Sequence, residues 1–370
     1  MTKKNLIITV LLFFLTQLTI LNSSDTKRVK YDFQVDIGSY FINDQRIQWS
    51  GVEATFGAEA ELIAKFGKKI KNGEIFALSE FRFNQKFDDN ILIDKFRKNY
   101  IQNFETDQFL ITQLYLGVQL KNFSIAIGKK DSVFGDEHNI RLINSQLFSP
   151  FIRTESILRQ ETGVFLKFSK GIIRLDISVV NGGPEKDTNS SKAAVLRTGL
   201  EFKNFSLGIS AKIQDGIGSE WQKQYKNHLG FDFLIKSGRF SISAEGIYDE
   251  YGFRKEFDEK KIFWKKSLYY RDRFFKLETP ITGVGGYVNL CYKGKKFTFN
   301  LNYGEFHPKK IGYIYHDQPI KRGIIKFIYT FSKELSFFAG GLVENERVRE
   351  SVFSGAKSYA YITGLRYNIF

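Results

Sequence analysis

Residues 193–214 read AAVLRTGLEFKNFSLGISAKIQ, and this stretch decides the fold. Apolar side chains occupy alternate positions on both sides of Lys203-Asn204, as Leu196 and Leu200 do before it and Leu207 and Ile209 after it. A period of two is the period of a β-strand. A two-residue polar connection between two such strands indicates a hairpin. The stretch therefore predicts an antiparallel pair with one apolar and one polar face.

The same hairpin recurs along the chain. Residues 117–128 (GVQLKNFSIAIG) align with residues 199–210 (GLEFKNFSLGIS). Looser copies centre on Lys71-Asn72-Gly73, Ser169-Lys170-Gly171, Lys236-Ser237-Gly238-Arg239, Lys293-Gly294-Lys295-Lys296 and Phe331-Ser332-Lys333-Glu334. One strand precedes the seven hairpins (about 29–42) and one follows them (about 357–370), which predicts 16 strands in total.

The connections between the hairpins are longer than the turns within them. They cover roughly 43–49, 86–106, 135–160, 182–191, 215–225, 251–281, 307–319 and 348–357. Short turns at one end and long loops at the other are typical of an up-and-down transmembrane barrel. We therefore predict an all-β fold: a 16-stranded antiparallel transmembrane β-barrel with long external loops and short periplasmic turns.

The rival fold is a secreted soluble β-sandwich, whose apolar faces would meet in a dry core. A closed barrel satisfies every backbone N–H and C=O in lipid, and sixteen strands leave a lumen wide enough for water. Aromatic residues at the strand ends suit the interfacial girdles of such a barrel. They are Tyr31, Phe123, Phe205, Phe240, Phe297, Tyr329, Phe331 and Tyr367.

The first residues have the layout of a secretory signal peptide. Lys3 and Lys4 precede the apolar residues 6–21, and polar residues resume before Asp25. We predict a signal peptide at 1–24 and a single barrel domain at 25–370; the alternative is a membrane anchor. Because an exported protein does not meet nucleic acid, the formal net charge of +15 does not indicate a nucleic-acid partner.

The end of the chain carries a related signal. The last strand has an apolar face of alternate residues, and the chain finishes on Phe370, which resembles the C-terminal signal of bacterial outer-membrane barrels. The residues of that face are Tyr359, Tyr361, Thr363, Leu365 and Tyr367. The register departs from that pattern because Tyr367 lies three residues before the end. We expect the protein in the outer membrane of a Gram-negative-type bacterium, in contact with outer-membrane lipid and lipopolysaccharide.

The sequence offers no catalytic or cofactor motif. The four His residues lack the spacing of a zinc site, and no Gly-x-Ser-x-Gly elbow occurs. The single cysteine, Cys291, excludes an intramolecular disulfide. We predict no catalytic residue, no metal and no cofactor, and a protein that is not an enzyme.

The alternation also predicts which charges face the lumen. The cations assigned there are Lys130, Lys167, Arg174, Arg197, Lys212, Lys226, Lys326 and Arg366. The carboxylates are Asp36, Glu53, Glu59, Glu61, Glu80, Asp176, Glu201, Asp232 and Glu245. The predicted lining is therefore mixed in sign.

Residues 127–202 resemble the phosphate-selective porin O/P family. The elements that carry the resemblance are Gly128-Lys129, Phe134-Gly135, Thr162-Gly163-Val164, residues 178–182, the loop with Asp187 and Asn189, Lys192-Ala193-Ala194 and Arg197. The resemblance implies a trimeric, anion-preferring channel of 16 strands. It also implies that the third long loop, 135–160, folds inward as a constriction.

Candidate anion-attracting residues follow from these two arguments. They are Arg141, Arg153 and Arg159 in the third loop and Lys130, Arg174 and Arg197 in the strands. Planar guanidinium groups match phosphate oxygens. The alternative is that the loop arginines pair with neighbouring carboxylates and only brace the loop.

The predicted function is a porin, which forms a water-filled channel for passive diffusion of small hydrophilic solutes and prefers phosphate-like anions. Two alternatives remain. One is a solute-specific channel, for example for sugars. The other is a surface adhesin or scaffold barrel that uses the basic connection 251–281.

Overall fold

The computed structural model describes residues 29–44, 53–86, 108–135, 160–181, 192–217, 224–253, 281–311, 320–345 and 357–369. Sixteen strands form a closed barrel in which each strand pairs antiparallel with its neighbours in sequence, and the first pairs with the last. The strands are β1 (Val29–Asp44), β2 (Glu53–Ile70), β3 (Gly73–Lys86), β4 (Gln108–Leu120), β5 (Phe123–Asp131), β6 (Gln160–Lys170), β7 (Ile173–Val180), β8 (Ala193–Glu201), β9 (Phe205–Ile217), β10 (Gln224–Ser237), β11 (Phe240–Phe253), β12 (Ile281–Lys293), β13 (Phe297–Ile311), β14 (Ile320–Thr330), β15 (Leu335–Asn345) and β16 (Lys357–Asn368). The predicted fold class and strand number are confirmed.

The seven predicted tight turns are also confirmed, and each joins two consecutive strands at the same end of the barrel. Gly171 in the β6–β7 turn and Gly238 in the β10–β11 turn have φ angles of 60° and 57°. Glycine adopts this left-handed conformation without the steric penalty that a Cβ carries. The local sequence therefore fixes these hairpins, and the hairpins fix the register of the sheet.

The two faces of the wall differ as the period of two requires. In β9, Ile209 and Ile213 are 59% and 62% exposed on the outer face. Ser210 and Lys212, which lie between them in sequence, are buried on the inner face. A wall of exposed isoleucine, leucine and valine is removed from water only in a lipid bilayer. No helix within the described ranges has the length and apolar composition needed to cross a membrane.

The inner face is less polar than the alternation predicted. One buried cluster combines Ala126, Phe134, Phe165, Val180, Ala193, Val195, Ile247 and Tyr287. A second combines Tyr40, Ile324, Phe338, Leu342 and Ile362. The first cluster joins strands β5–β8 to β11–β12 through Phe134, so apolar contact extends across part of the barrel interior.

Candidate functional site in the barrel interior

A buried ion pair braces the inner wall at β8 and β10. Arg197 donates to Asp232 through two hydrogen bonds, Nε to Oδ2 at 3.1 Å and Nη2 to Oδ1 at 2.6 Å. Both side chains are 1% exposed. Gly208 of β9 lies between them, and a Cβ there would stand 2.6 Å from Asp232 Oδ2. The glycine therefore allows the pair to close over the intervening strand.

A second buried pair spans a wider arc of the wall. Lys212 of β9 donates to Glu161 of β6, with 2.5 Å between Nζ and Oε1, and both side chains are fully buried. A buried carboxylate at this distance neutralises the ammonium group. Lys212 therefore contributes little positive field to the interior.

Other inner cations are paired in the same way. Arg174 of β7 contacts the carboxylates of Asp176 and Glu201. Arg82 of β3 lies 2.9 Å from Glu61 Oε1, and Arg366 of β16 contacts Asp36 of β1. The predicted inward direction of Arg366 agrees with this contact.

Two inner lysines differ from these cations. Lys130 of β5 places its Nζ 5.4 Å from the ring centroid of Tyr115 and 5.5 Å from that of Phe165. Lys167 lies on the inner face of β6, three residues before the end of the strand. Within the described ranges, neither ammonium group has a carboxylate oxygen within 4.0 Å. These two charges are therefore not neutralised by a direct partner, and an anion in the interior would experience them.

The chain that follows β5 turns into the barrel. The amide of Gly135 donates to Ser210 Oγ of β9 at 3.0 Å. Phe134 is 0% exposed and rests on Gly230 of β10, where a Cβ would lie 2.5 Å from the end of the ring. The ring also stands edge-on to His228, 6.3 Å between centroids. Residues 132–135 thus reach the middle of a wall four to six strands away.

Gly135 itself has no room for a side chain. Its φ angle is 65°, and a Cβ would lie 1.9 Å from Glu245 Oε1 of β11. That carboxylate also accepts a hydrogen bond from Tyr287 Oη at 3.1 Å. Packing therefore explains the Phe134-Gly135 dipeptide. The Phe134 ring fills the space next to Gly230, and the backbone of Gly135 passes close to the Glu245 carboxylate.

The predicted site residues divide into two groups. Arg141, Arg153 and Arg159 lie outside the described residues. Lys130, Arg174 and Arg197 all lie on the inner face, but Arg174 and Arg197 are held by carboxylates. Among the predicted lumen residues, the side chains of Lys226 and Glu53 also lie outside the described set.

The sequence reasoning missed two features of the interior. It did not separate Lys167 from the paired cations, and it did not anticipate the apolar inner cluster around Phe134. The signal for the cluster was present, because Phe165, Val180 and Val195 occupy inner positions of β6, β7 and β8. In the part of the chain that the structure describes, no three His, Cys, Asp or Glu side chains are grouped to hold a metal ion.

Comparison with solved structures identifies the architecture. The anion-selective porin from Comamonas acidovorans matches with a TM-score of 0.65 at 8% identity, over 92% of this chain and 100% of that one. The outer-membrane channel DcaP of Acinetobacter baumannii matches with a TM-score of 0.64 at 13% identity, over 93% and 98%. The trimer form of Vibrio cholerae OmpT matches with a TM-score of 0.61 at 12% identity, over 92% and 100%.

These structures establish likeness in fold to outer-membrane porins and channels. None of them singles out the phosphate-selective porin O/P family. No family model and no curated protein matches the sequence. The likeness to porins is therefore detected in the fold and not in the sequence.

Proposed function

We propose that this protein is an outer-membrane porin for passive diffusion of small hydrophilic solutes, with a preference for anions such as phosphate. The observation that carries the proposal is the closed barrel of 16 strands, with apolar side chains on the outer face and charged side chains on the inner face. Such a wall surrounds a channel and sets the electrostatic field inside it, and passive diffusion through a channel requires no catalytic group. The protein is accordingly proposed to act without catalysis.

The anion preference rests on the unequal pairing of the inner charges. Cations such as Arg197 and Lys212 face a carboxylate oxygen at 2.5–3.1 Å, so their net field is small. Lys130 and Lys167 have no such partner among the described residues and lie on neighbouring strands. Unpaired ammonium groups on a wall of low dielectric constant attract anions.

We also propose that residues 135–160 form a constriction. The contacts of Phe134 and Gly135 with β9, β10 and β11 support it, because they direct the chain across the interior before residue 136. Arg141, Arg153 and Arg159 would then stand beside the narrowest section. Their guanidinium groups would add to the field of Lys130.

The cellular setting is part of the same proposal. The protein would be exported with cleavage of residues 1–24 and would reside in a Gram-negative-type outer membrane, with lipopolysaccharide around its loop end. A homotrimer is supported by the likeness to the trimer form of Vibrio cholerae OmpT.

Planar-bilayer recording tests the channel and its selectivity together. Under a salt gradient, the native protein should give stepwise conductance and a reversal potential on the anion side. The double variant Lys130→Gln, Lys167→Gln should move this potential toward zero. The matched control is Lys121→Gln, Lys203→Gln, which removes two exposed turn lysines.

The outcomes separate the parts of the proposal. Absence of conductance from a folded barrel would reject the pore. A cation-side potential, or an equal shift in both double variants, would reject the assigned lysines. Added phosphate should reduce chloride current if phosphate-like anions bind inside.

A solute-specific channel is the second candidate, and the ring of Tyr115 beside Lys130 favours it. Tyr115 is half-buried on the inner wall, and its ring lies beside the Lys130 ammonium group. The exposed part of an aromatic ring can pack against the flat face of a ring-shaped solute. Block of the current by a sugar at low concentration, with phosphate ineffective, would favour this candidate.

A further inference from the structure

The end of the barrel that carries the tight turns is strongly basic. We define the turn rim as residues 68–74, 119–123, 169–173, 201–205, 236–240, 293–297 and 331–335. Twelve lysines and arginines and only three glutamates occur there. The cations are Lys68, Lys69, Lys71, Lys121, Lys170, Lys203, Lys236, Arg239, Lys293, Lys295, Lys296 and Lys333, and all are exposed.

Among the described residues, these cations have no carboxylate within ion-pair distance. None of their side chains forms an ion pair or a ring contact with a described residue, in contrast to Arg174, Arg197 and Lys212 of the inner wall. Of the three rim glutamates, Glu201 is already held by Arg174. Glu334 accepts a hydrogen bond from Ser332 Oγ at 2.8 Å, which lowers the pKa of Glu334. Most of the rim charge is therefore available to an external anion.

The position of the rim cations indicates which anion they meet. In four of the seven turns, the cation precedes an outward-facing phenylalanine by one or two residues, and that phenylalanine begins the next strand. The pairs are Lys121 with Phe123, Lys203 with Phe205, Arg239 with Phe240, and Lys296 with Phe297. All four rings are exposed on the outer face.

Outward aromatic side chains at a strand end mark the boundary between the acyl chains and the head groups. The cation lies one or two residues from the phenylalanine, on the side of the turn. Because a strand rises about 3.3 Å per residue, this spacing places the cation at the level of the lipid phosphates. Lysines at this level attract the phosphate groups of anionic lipid.

We propose that the turn rim binds the phosphate groups of anionic phospholipid in the leaflet that surrounds the turn end of the barrel. The cations are spread over all seven turns and not gathered on one side. A ring of charge next to a ring of phenylalanine fits an annulus of lipid, whereas a protein partner would require a single face. This role is independent of what passes through the channel.

The test compares the lipids that remain around three versions of the folded barrel. The rim variant carries Lys121→Gln, Lys203→Gln, Lys295→Gln and Lys333→Gln, and none of these four side chains forms a hydrogen bond, ion pair or ring contact with a described residue. The matched control carries Lys255→Gln, Lys260→Gln, Lys261→Gln and Lys265→Gln, which lie in the connection at the opposite end. Each protein is inserted into vesicles of equal phosphatidylglycerol and phosphatidylethanolamine and then excised with polymer nanodiscs.

Mass spectrometry of the excised lipids gives the result. We expect the native barrel and the control to enrich phosphatidylglycerol roughly twofold over the vesicle, and the rim variant to lose most of this enrichment. No enrichment by the native protein, or equal loss in both variants, would overturn the proposal. Chloride and phosphate at matched ionic strength should weaken the enrichment equally. A stronger effect of phosphate would assign the rim to the free anion instead.

Discussion

Arg197 and Lys203 lie six residues apart on one hairpin and illustrate two uses of positive charge. Arg197 is buried in the inner wall and makes two hydrogen bonds to Asp232. Lys203 is exposed in a turn and contacts no carboxylate among the described residues. Arg197 stabilises the wall, and its charge is offset by Asp232. Lys203 adds little to the stability of the wall, and its charge acts on ions and groups outside the protein. A net charge of +15 therefore does not measure the field inside the barrel.

Loss of the buried pair should have the largest effect. Arg197→Met leaves the Asp232 carboxylate buried without its partner, and we expect the free energy of unfolding to fall by about 3–5 kcal/mol. Urea unfolding in detergent micelles, followed by the gel mobility of the folded barrel, measures the change. Lys203→Met is the matched control and should change stability by less than about 0.5 kcal/mol.

A second variant keeps this prediction testable if Arg197→Met does not fold. The double variant Arg197→Met, Asp232→Asn removes both buried charges, so it should be less destabilising than Arg197→Met alone. Equal stability losses for Arg197→Met and Lys203→Met would contradict the distinction between the wall and the rim.

Displacement of the inward segment should have the next effect. A leucine at Gly230 would occupy the space of the Phe134 ring, and we expect residues 132–135 to leave the wall. Single-channel conductance should then rise on the order of 1.5-fold, because less chain obstructs the interior. Gly323→Leu is the control, since no atom lies within 4 Å of a Cβ at that outward position. Unchanged conductance in Gly230→Leu would show that the segment does not limit the current.

The sequence predicted the strands and turns because their causes are local. A period of two and a two-residue polar turn are both visible within 22 residues of the 193–214 hairpin. The pair of Arg197 and Asp232 was not predictable in this way, because the residues lie 35 positions apart and depend on Gly208 of the strand between them. The site of the Phe134-Gly135 segment was missed for a related reason, since its partners come from the three later strands β9, β10 and β11.

The native cysteine allows a direct measurement of the field inside the barrel. Cys291 follows the inner residue Asn289 by two positions on β12, so its thiol is on the inner face. We expect a negatively charged methanethiosulfonate to react roughly threefold faster than a positively charged one, because unpaired lysines concentrate anions. The ratio should fall in Lys130→Gln, Lys167→Gln but stay above one, because Lys293 of the turn rim lies two residues from Cys291. Labelling at equal rates in the native protein would contradict an anion-attracting interior.

The smallest effect concerns the influence of the rim on permeating ions. At about 0.1 M salt the screening length is about 10 Å, so exposed turn lysines should not alter the potential deep inside the barrel. Lys121→Gln, Lys203→Gln should then leave the reversal potential unchanged. At about 0.01 M salt the screening length reaches about 30 Å, and the same variant should shift the potential slightly toward the cation side. Lys130→Gln, Lys167→Gln should shift it at both concentrations, because these lysines lie on the inner wall itself. If the two double variants depended on salt in the same way, the inner lysines would be screened like the rim lysines, and the difference between the two regions would disappear.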